Sequence, residues 1–261
     1  MNHQAKKKFG QNFLRDKNLL MKIVRDSNIE DKHVIEVGPG QGALTTFLAL
    51  SAKDVVAYEI DESLRPILDE IEEKNENLKV IYQDFLEIDL SNSEYDLHVV
   101  ANVPYYITTP ILFKILETPT IKTASLMIQK EVCDRLLATP ESKQYNALSI
   151  ILQYHAKAHK MIDVKRQMFY PIPNVDSAVI RIEKREIPLI ESEKEQLFIH
   201  LVKEAFRQKR KTLVNNWYEA FKKPKVEIEK FLIDNGFSAN VRAEALTKED
   251  FIKLTKVWNN D

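Results

Sequence analysis

The sequence predicts an α/β fold, in which a doubly wound parallel sheet occupies the first two thirds of the chain and a small all-helical domain follows. Short apolar segments alternate with helix-patterned segments up to about residue 187. A glycine-rich turn joins the first apolar segment to a helix, and the pattern becomes wholly helical after Pro188. We therefore predict one domain at 1–187 and a second at 188–261.

Apolar runs bounded by polar or turn residues predict the strands. The first five lie at 34–37, 55–59, 79–82, 98–101 and 125–129, with helices between them. Two more candidates follow at 158–164 and 177–183, and the second alternates as SAVIRIEK, consistent with a hairpin that closes the sheet. Ligands of such sheets bind at the carboxyl ends of the strands.

The C-terminal helices are predicted from their apolar periodicity and their capping residues. They are expected at 191–207, 211–222, 225–235 and 248–258. Thr247 and Asp250 have the spacing of a capping box at the start of the last one.

Composition excludes several classes of protein. The 261 residues include a single cysteine, Cys133, which rules out an internal disulfide framework and fits a reducing compartment. Cys/His pairs at ligand spacing are missing, so we expect no structural metal. No uncharged run approaches the roughly 18 residues of a membrane span, and the N-terminus lacks an apolar signal core. We expect a cytoplasmic protein that does not bind membranes and acts as a monomer.

The net charge of −1 conceals an uneven distribution. Residues 54–96 contain 14 acidic and 3 basic side chains, whereas the first 30 residues contain 7 basic and 3 acidic ones. Residues 203–230 contain 9 basic and 4 acidic ones. Solvated helix faces commonly carry such charge, but basic residues at both ends also suit a polyanion held across two regions.

Three of the chain's five glycines lie within the segment VIEVGPGQGALTTFLA, at Gly38, Gly40 and Gly42. The segment is typical of a strand, a tight turn and a helix. Glycine permits positive φ and close approach of the backbone, and the helix N-terminus offers free N–H groups to an anionic ligand end. This turn is therefore a candidate ligand-binding loop.

The loop alone leaves two cofactors open. Gly38, Gly40 and Ala43 satisfy the dinucleotide pattern G-x-G-x-x-G/A, and Glu59 ends the next strand, where a partner of a ribose hydroxyl belongs. A nicotinamide enzyme is thus one interpretation. The order EVGPGQG is more similar to the first motif of S-adenosylmethionine-dependent methyltransferases, whose cofactor has a ribose and a carboxylate but no pyrophosphate.

A second motif, Asn102-Val103-Pro104-Tyr105, directly follows the fourth strand. It is similar to the catalytic motif of methyltransferases that modify exocyclic amino groups of bases. Such an amino nitrogen is a poor nucleophile because its lone pair is delocalised into the ring. When acceptors on the enzyme take hydrogen bonds from its two N–H groups, the nitrogen becomes more pyramidal and its lone pair more available. The side-chain carbonyl of Asn102 and the backbone carbonyl of Pro104 would be the acceptors, and Tyr105 would stack on the unstacked base. A nicotinamide enzyme gives no reason for this motif.

Further segments resemble one family in particular. They are KKKFGQNFL at 6–14, MFYPIPNVDSAV at 168–179, FRQKRKTLVNN at 206–216 and the ending NGFSANVRAEALTKEDFIKL. Together they resemble the ribosomal RNA adenine dimethyltransferases of the KsgA type, over nearly the whole chain. This resemblance implies a Rossmann-like methyltransferase sheet, S-adenosylmethionine as cofactor, and dimethylation of two adjacent adenosines in the 3′-terminal hairpin loop of small-subunit ribosomal RNA during ribosome biogenesis.

The resemblance also implies site residues. Those expected to bind the cofactor are Asn12, Leu14, Gly38, Gly40, Glu59, Ile60, Asp84, Phe85 and Asn102. Asp84 would accept a hydrogen bond from the cofactor's adenine, although an aspartate at a strand end is as often a helix cap. Phe169 would stack on the target adenine opposite Tyr105, with a core role as the alternative. The roles of Tyr106 and Tyr170 stay open.

The basic tail is the last predicted site. Arg207, Lys209, Arg210 and Lys211 would contact phosphates of the small ribosomal subunit, which set register and affinity without reading sequence. The alternative is a solvated helix end. Related enzymes that methylate large-subunit RNA share the catalytic motifs, but this C-terminal segment resembles the small-subunit enzyme. A DNA adenine methyltransferase would share the Asn102–Tyr105 motif but would lack the helical tail. A non-enzymatic ribosome assembly factor with this fold would have no need to keep all of the expected catalytic and cofactor-binding residues.

Overall fold

The computed structural model describes residues 12–258. Part of the KKKFGQNFL motif, residues 6–11, therefore lies outside the described residues, while Asn12, Phe13 and Leu14 lie within them. Within this range, no helix is long and apolar enough to cross a membrane.

Nine strands within residues 12–258 form two sheets. A two-stranded sheet pairs β1 (Phe13–Leu14) with β8 (Phe169–Tyr170). The large sheet has seven strands in the order β4-β3-β2-β5-β6-β9-β7. Their bounds are β2 His33–Val37, β3 Asp54–Tyr58, β4 Leu78–Ile81, β5 Leu97–Asn102, β6 Ile121–Gln129, β7 Ala156–Val164 and β9 Ser177–Lys184. These bounds confirm the seven predicted strands, and the sequence analysis did not predict β1 and β8.

Ten helices accompany the strands in the described chain. Their bounds are α1 Lys17–Asp26, α2 Ala43–Ser51, α3 Arg65–Glu73, α4 Thr108–Glu117, α5 Lys130–Leu136, α6 Ala147–His155, α7 Ser192–Ala205, α8 Leu213–Phe221, α9 Lys225–Asp234 and α10 Lys248–Val257. The last four match the predicted C-terminal helices to within about two residues. Thr247 and Asp250 form the capping box expected at the start of α10.

The order of the strands creates a crevice beside β2. Strands β2 to β6 are parallel, and β9 runs antiparallel to β6. The chain builds outward from β2 through β3 to β4 and then returns to the other side of β2 with β5. Loops leaving β2 and β5 therefore diverge at the carboxyl edge, which is where doubly wound sheets bind ligands.

The contacts divide the described chain into two compact units. One contains the described residues up to Cys133 and Lys157–Lys184, and the other contains Asp134–Ala156 and the described residues from Arg185 onward. Residues 134–156, which we predicted in the first domain, thus pack in the second unit. The second unit's contacts explain this: the Tyr145 hydroxyl donates to the Leu246 carbonyl at 2.9 Å.

Aromatic side chains organise the helical unit. Trp217 is fully buried and donates its indole N–H to the Leu201 carbonyl at 3.1 Å. Its ring meets Trp258 edge to face, with ring centroids 5.0 Å apart. Because a buried indole needs a partner for its N–H, this hydrogen bond fixes α8 against α7.

Candidate active site

One pocket at the carboxyl edge of the large sheet gathers most of the predicted site residues. Those that line it are Asn12, Leu14, Gly38, Gly40, Glu59, Ile60, Asp84, Phe85, Asn102, Pro104 and Tyr105. Apart from Asn12 and Leu14, they lie at or just after the ends of β2, β3, β4 and β5, so the parallel sheet is what brings them together. Phe169 is not among the lining residues.

The glycine turn has the backbone geometry that its sequence predicts. Gly38, Gly40 and Gly42 have φ of +70°, +58° and +77°, a region that side chains with a Cβ adopt only with strain. A Cβ at Gly40 would lie 2.9 Å from Cε1 of Phe13, so the pocket-lining ring also excludes a side chain there. The turn ends at the N-terminus of α2, where backbone N–H groups are free of intrahelical partners.

Glu59 connects this turn to the end of β3. Its Oε2 accepts the backbone N–H of Gly40 at 3.0 Å, and its Oε1 accepts those of Ile60 and Asp61, each at 2.9 Å. Burial raises the pKa of this carboxyl group above its ordinary value, and the hydrogen bonds from the three N–H groups offset only part of that rise. A carboxylate can accept more than three hydrogen bonds, so Glu59 could also accept from a ligand hydroxyl.

Asn102 is oriented by the segment that precedes α1. Its Nδ2 donates to the backbone carbonyl of Asn12 at 3.1 Å. Because the donor end of the amide is engaged in this way, Oδ1 is the end available as an acceptor for a bound ligand. The Pro104 carbonyl accepts a hydrogen bond from the Ile107 N–H at 3.1 Å. The Thr108 hydroxyl lies 3.5 Å from the same oxygen and closer, at 3.3 Å, to the Tyr105 carbonyl, so the one hydroxyl proton is shared between the two carbonyls.

The two tyrosines after Pro104 differ in their surroundings. The Tyr105 hydroxyl is hydrogen-bonded to the Ser177 hydroxyl at 2.7 Å, and burial raises the pKa of the phenol. Tyr106 also lines the pocket, but more than half of its side chain is exposed. Ser177, for which the sequence pattern predicts no role, fixes the position of the Tyr105 ring through this hydrogen bond.

Asp84 caps a short 3₁₀ turn, as the alternative interpretation of this residue anticipates. Its Oδ1 accepts the Leu86 N–H at 2.9 Å, and the turn covers Phe85–Glu87. The same residue lines the pocket between Phe85, which is buried, and the partly exposed Ile60. The capping bond fixes the carboxylate at the pocket wall, so the two interpretations are compatible.

Phe169 lies in the core. It is only 3% exposed and belongs to the cluster that also contains Leu14, Met127 and Val179. Its partner across the two-stranded sheet is Leu14, which lines the pocket. The expected stacking of Phe169 on a base stays a prediction, because this geometry places the residue behind the pocket wall.

Glu36, in β2, is a pocket residue to which the sequence analysis gave no role. It is 1% exposed, and its Oε2 is buried with no hydrogen-bond partner among residues 12–258. Burial, together with the nearby negative charge of Glu59, raises its pKa to about 8. The acid two residues before the first glycine was the available signal. A buried polar atom without a protein partner requires an explanation, and a ligand that supplies the missing donor is one that suits a pocket-lining position.

The basic tail lies in the turn between α7 and α8. Lys211 pairs with Glu219 at 2.7 Å, Arg207 lies 3.5 Å from Glu204, and Lys209 donates to the Lys143 carbonyl at 2.6 Å. Arg210 is exposed and has no ion pair within the part of the chain that the structure describes. Exposed ion pairs of this kind contribute little stability, so they hold these cations only weakly.

The sheet order, the turn after β2 and the motif after β5 are together typical of Rossmann-like methyltransferases that act on amino groups of bases. The family model described as "Ribosomal RNA adenine dimethylase" matches residues 2–260. The chain belongs to this family and is a ribosomal RNA adenine methyltransferase. The predicted fold class and family are therefore confirmed.

Similar proteins are known in sequence and in structure. A protein of Aster yellows witches'-broom phytoplasma (strain AYWB), named ribosomal RNA small subunit methyltransferase A, is 49% identical over 99% of this chain and 97% of its own. Its namesake in Lactococcus lactis subsp. lactis (strain IL1403) is 45% identical over 95% of this chain and 88% of its own.

Among solved structures, a dimethyladenosine transferase from Plasmodium falciparum aligns with a TM-score of 0.79 and 27% identity, over 93% of this chain and 95% of its own. The 23S rRNA methyltransferase ErmE aligns with a TM-score of 0.74 and 28% identity, over 94% of this chain and 98% of its own. The similarity in both cases extends across the catalytic and the helical parts of the chain.

Proposed function

We propose that this enzyme dimethylates two adjacent adenosines in the 3′-terminal hairpin loop of small-subunit ribosomal RNA, with S-adenosylmethionine as methyl donor. The observation that carries the proposal is the orientation of Asn102 at the switch point of the sheet. The Asn102 Nδ2 donates a hydrogen bond to the Asn12 carbonyl, so Oδ1 is the atom that can accept a hydrogen bond from the amino group of a base. Since the substrate is a ribosomal subunit, we assign the activity to the cytoplasm.

The pocket residues fit the proposed cofactor. Glu36 Oε2, buried and without a partner in the described chain, would accept from the ammonium group of the amino-acid end. Glu59 would accept from the ribose hydroxyls, and Asp84 would accept from the adenine amino group between Ile60 and Phe85. When bound, S-adenosylmethionine supplies a methyl group already activated by its sulfonium.

The chain's own contribution to the reaction is orientation. Asn102 Oδ1 and the Pro104 carbonyl would accept hydrogen bonds from the two N–H groups of the target amine. These bonds would make the nitrogen lone pair available for attack on the methyl group. Tyr105, positioned by Ser177, would stack on the base. The amine nitrogen would bond to the methyl carbon as the carbon–sulfur bond breaks, which would leave a neutral thioether. The methylated nitrogen would then lose its extra proton to water, so no strong general base is needed, and preorganised acceptors and correct alignment provide most of the rate.

The choice of ribosomal subunit rests on the relatives that match over almost the whole chain. Relatives that are 43–49% identical are named small-subunit enzymes, whereas the ErmE structure belongs to a 23S rRNA methyltransferase. We assign phosphate contacts to Arg207, Lys209, Arg210 and Lys211, and we expect the monomer to bind one subunit. Methyl incorporation into unmodified small and large subunits, compared side by side, tests this choice. Preferential labelling of large subunits would overturn it.

Glu59→Ala is expected to weaken the binding of S-adenosylmethionine by about 10- to 150-fold. The reason is the loss of charge-assisted hydrogen bonds to the ribose, together with loss of the contact that holds Gly40. Calorimetric titration with S-adenosylmethionine measures the change. Glu62→Ala, which removes an exposed carboxylate from the same loop, is the matched control. An unchanged affinity of the Glu59→Ala variant would remove Glu59 from the site.

Reversing Arg210 and Lys211 to glutamate is expected to weaken binding to small subunits and to reduce its dependence on salt. Two fewer neutralised phosphates should lower the slope of log affinity against log salt by about 1.5 to 2. Cofactor affinity should not change. Lys157→Glu combined with Lys160→Glu alters the net charge equally in the other unit. If the Arg210 and Lys211 variant binds small subunits normally at every salt concentration, these side chains do not contact phosphates and the segment is a solvated turn.

A further inference from the structure

The two-stranded sheet presents one aromatic side chain to solvent. Phe13 pairs with Tyr170, and Leu14 pairs with Phe169. Directly opposed residues of an antiparallel pair project from the same face. Leu14 and Phe169 are buried, so Phe13 and Tyr170 share the other face, on which Tyr170 is 57% exposed.

Arg15 holds this tyrosine in place. Its guanidinium carbon lies 4.2 Å from the centroid of the Tyr170 ring, and its backbone N–H donates to the Met168 carbonyl at 3.3 Å. An arginine stacked on an exposed ring gains cation–π energy and limits the ring's rotation. The pair therefore offers a preorganised planar surface, partly covered by a cation and otherwise open.

The surroundings of Tyr170 favour a nucleic acid as its occupant. Met168, Ile172 and Val175 are exposed in the same segment, which gives an apolar surface around the ring. Two carboxylates lie near this segment in the sequence, and both are engaged: Asp176 pairs with Lys165, and Asp16 accepts a hydrogen bond from the Leu19 N–H. Aromatic rings beside arginine suit unstacked bases and their phosphates, which single-stranded RNA supplies.

The position of the ring relates it to the catalytic motif. Paired Cα atoms in an antiparallel sheet are about 4.5 to 5.5 Å apart, so Tyr170 lies next to Phe13, which lines the pocket. Asn12, the residue before Phe13, accepts the hydrogen bond of Asn102. A nucleotide on Tyr170 would thus be a close neighbour of one held at Asn102.

We propose that Tyr170 and Arg15 form a stacking platform for the base next to the target adenosine in the RNA loop. This inference rests on the proposed function, because that function supplies the target. The platform selects single-stranded RNA, since the bases of a continuous helix are not free to stack on a protein side chain. It also gives Tyr170 a role in substrate binding that is separate from chemistry on the amino group.

The test is a binding measurement with a hairpin RNA that carries the fluorescent base 2-aminopurine beside the two loop adenosines. Stacking on Tyr170 should quench the fluorescence at one flanking position in the wild type and in Tyr170→Phe. Tyr170→Ala should lose this quenching and weaken RNA affinity by about 5- to 150-fold, with unchanged affinity for S-adenosylmethionine. Arg15→Gln should have a smaller effect in the same direction.

Tyr95→Ala is the matched control. Tyr95 is 55% exposed and stacks on His33, with Lys53 nearby, and it precedes β5 at the amino end of the sheet. An equal loss of affinity in this control, or normal quenching in Tyr170→Ala, would overturn the platform. Methylation of small subunits by the wild type tests the proposed function separately. A wild type that methylates normally while Tyr170→Ala binds RNA normally would refute the platform alone.

Discussion

Asn102→Ala lowers the rate of methyl transfer by about two to three orders of magnitude and leaves the affinity for S-adenosylmethionine within several-fold. This is the result expected if Asn102 Oδ1 accepts a hydrogen bond from the target amino group as its lone pair becomes available. Removal of one preorganised polar contact of this kind typically has an effect of that size. The cofactor's main contacts, at Glu59 and the glycine turn, would remain.

Single-turnover methylation of unmodified small subunits measures this rate directly. Asn77→Ala provides a control for loss of stability, because Asn77 Nδ2 donates to the carbonyls of Ala49 and Ala52 in the same unit, away from the pocket. That variant should be less stable but should transfer methyl groups at a near-normal rate once folded. Near-normal turnover of Asn102→Ala on the same substrate would refute the mechanism.

Phe169→Leu is expected to slow methylation by about 5- to 150-fold if the ring stacks on the target base. The leucine variant is more informative than alanine, because Phe169 lies in the core and its truncation to alanine would cost about 3 to 5 kcal/mol of stability. Exchange for leucine keeps much of the apolar contact and leaves a smaller cavity, so it should cost less stability than alanine. Phe169→Tyr, which keeps the aromatic face, should have a mild effect on rate.

The Phe169→Leu variant distinguishes a base-stacking role of Phe169 from a purely structural one. A purely structural Phe169 predicts that Phe169→Leu is slightly less stable and equally active per folded molecule. Val179→Ala, in the same core cluster, shows what loss of packing alone does to the rate. Thermal unfolding and single-turnover rates measured together separate the two roles. If the leucine and tyrosine variants are equally fast, the stacking role is wrong.

Much of the fold could be predicted because its signals are local. Each buried parallel strand is visible in the sequence as a short, mainly apolar run, such as residues 34–37 before the glycine turn. Helices begin at recognisable capping residues such as Thr247. The pocket followed from the fold, because residues placed directly after parallel strands meet at one edge of the sheet.

The remaining features depend on contacts between distant residues. Strands β1 and β8 have two residues each, and Phe13 pairs with Tyr170 without any local periodicity that could reveal it. That pairing buries Phe169, which the motif alone would place in the pocket. Residues 134–156 join the helical unit because Tyr145 hydrogen-bonds to Leu246, about 100 positions later. Neither contact leaves a periodic pattern in the sequence.

Dimethylation of the loop adenosines is measured by incubating the enzyme and labelled S-adenosylmethionine with small subunits that lack the modification, and then mapping the labelled nucleosides. We expect dimethyladenosine at two adjacent positions in the 3′-terminal hairpin loop, and almost none with Asn102→Ala. Label on another base, on ribose, or only on large-subunit RNA would contradict it.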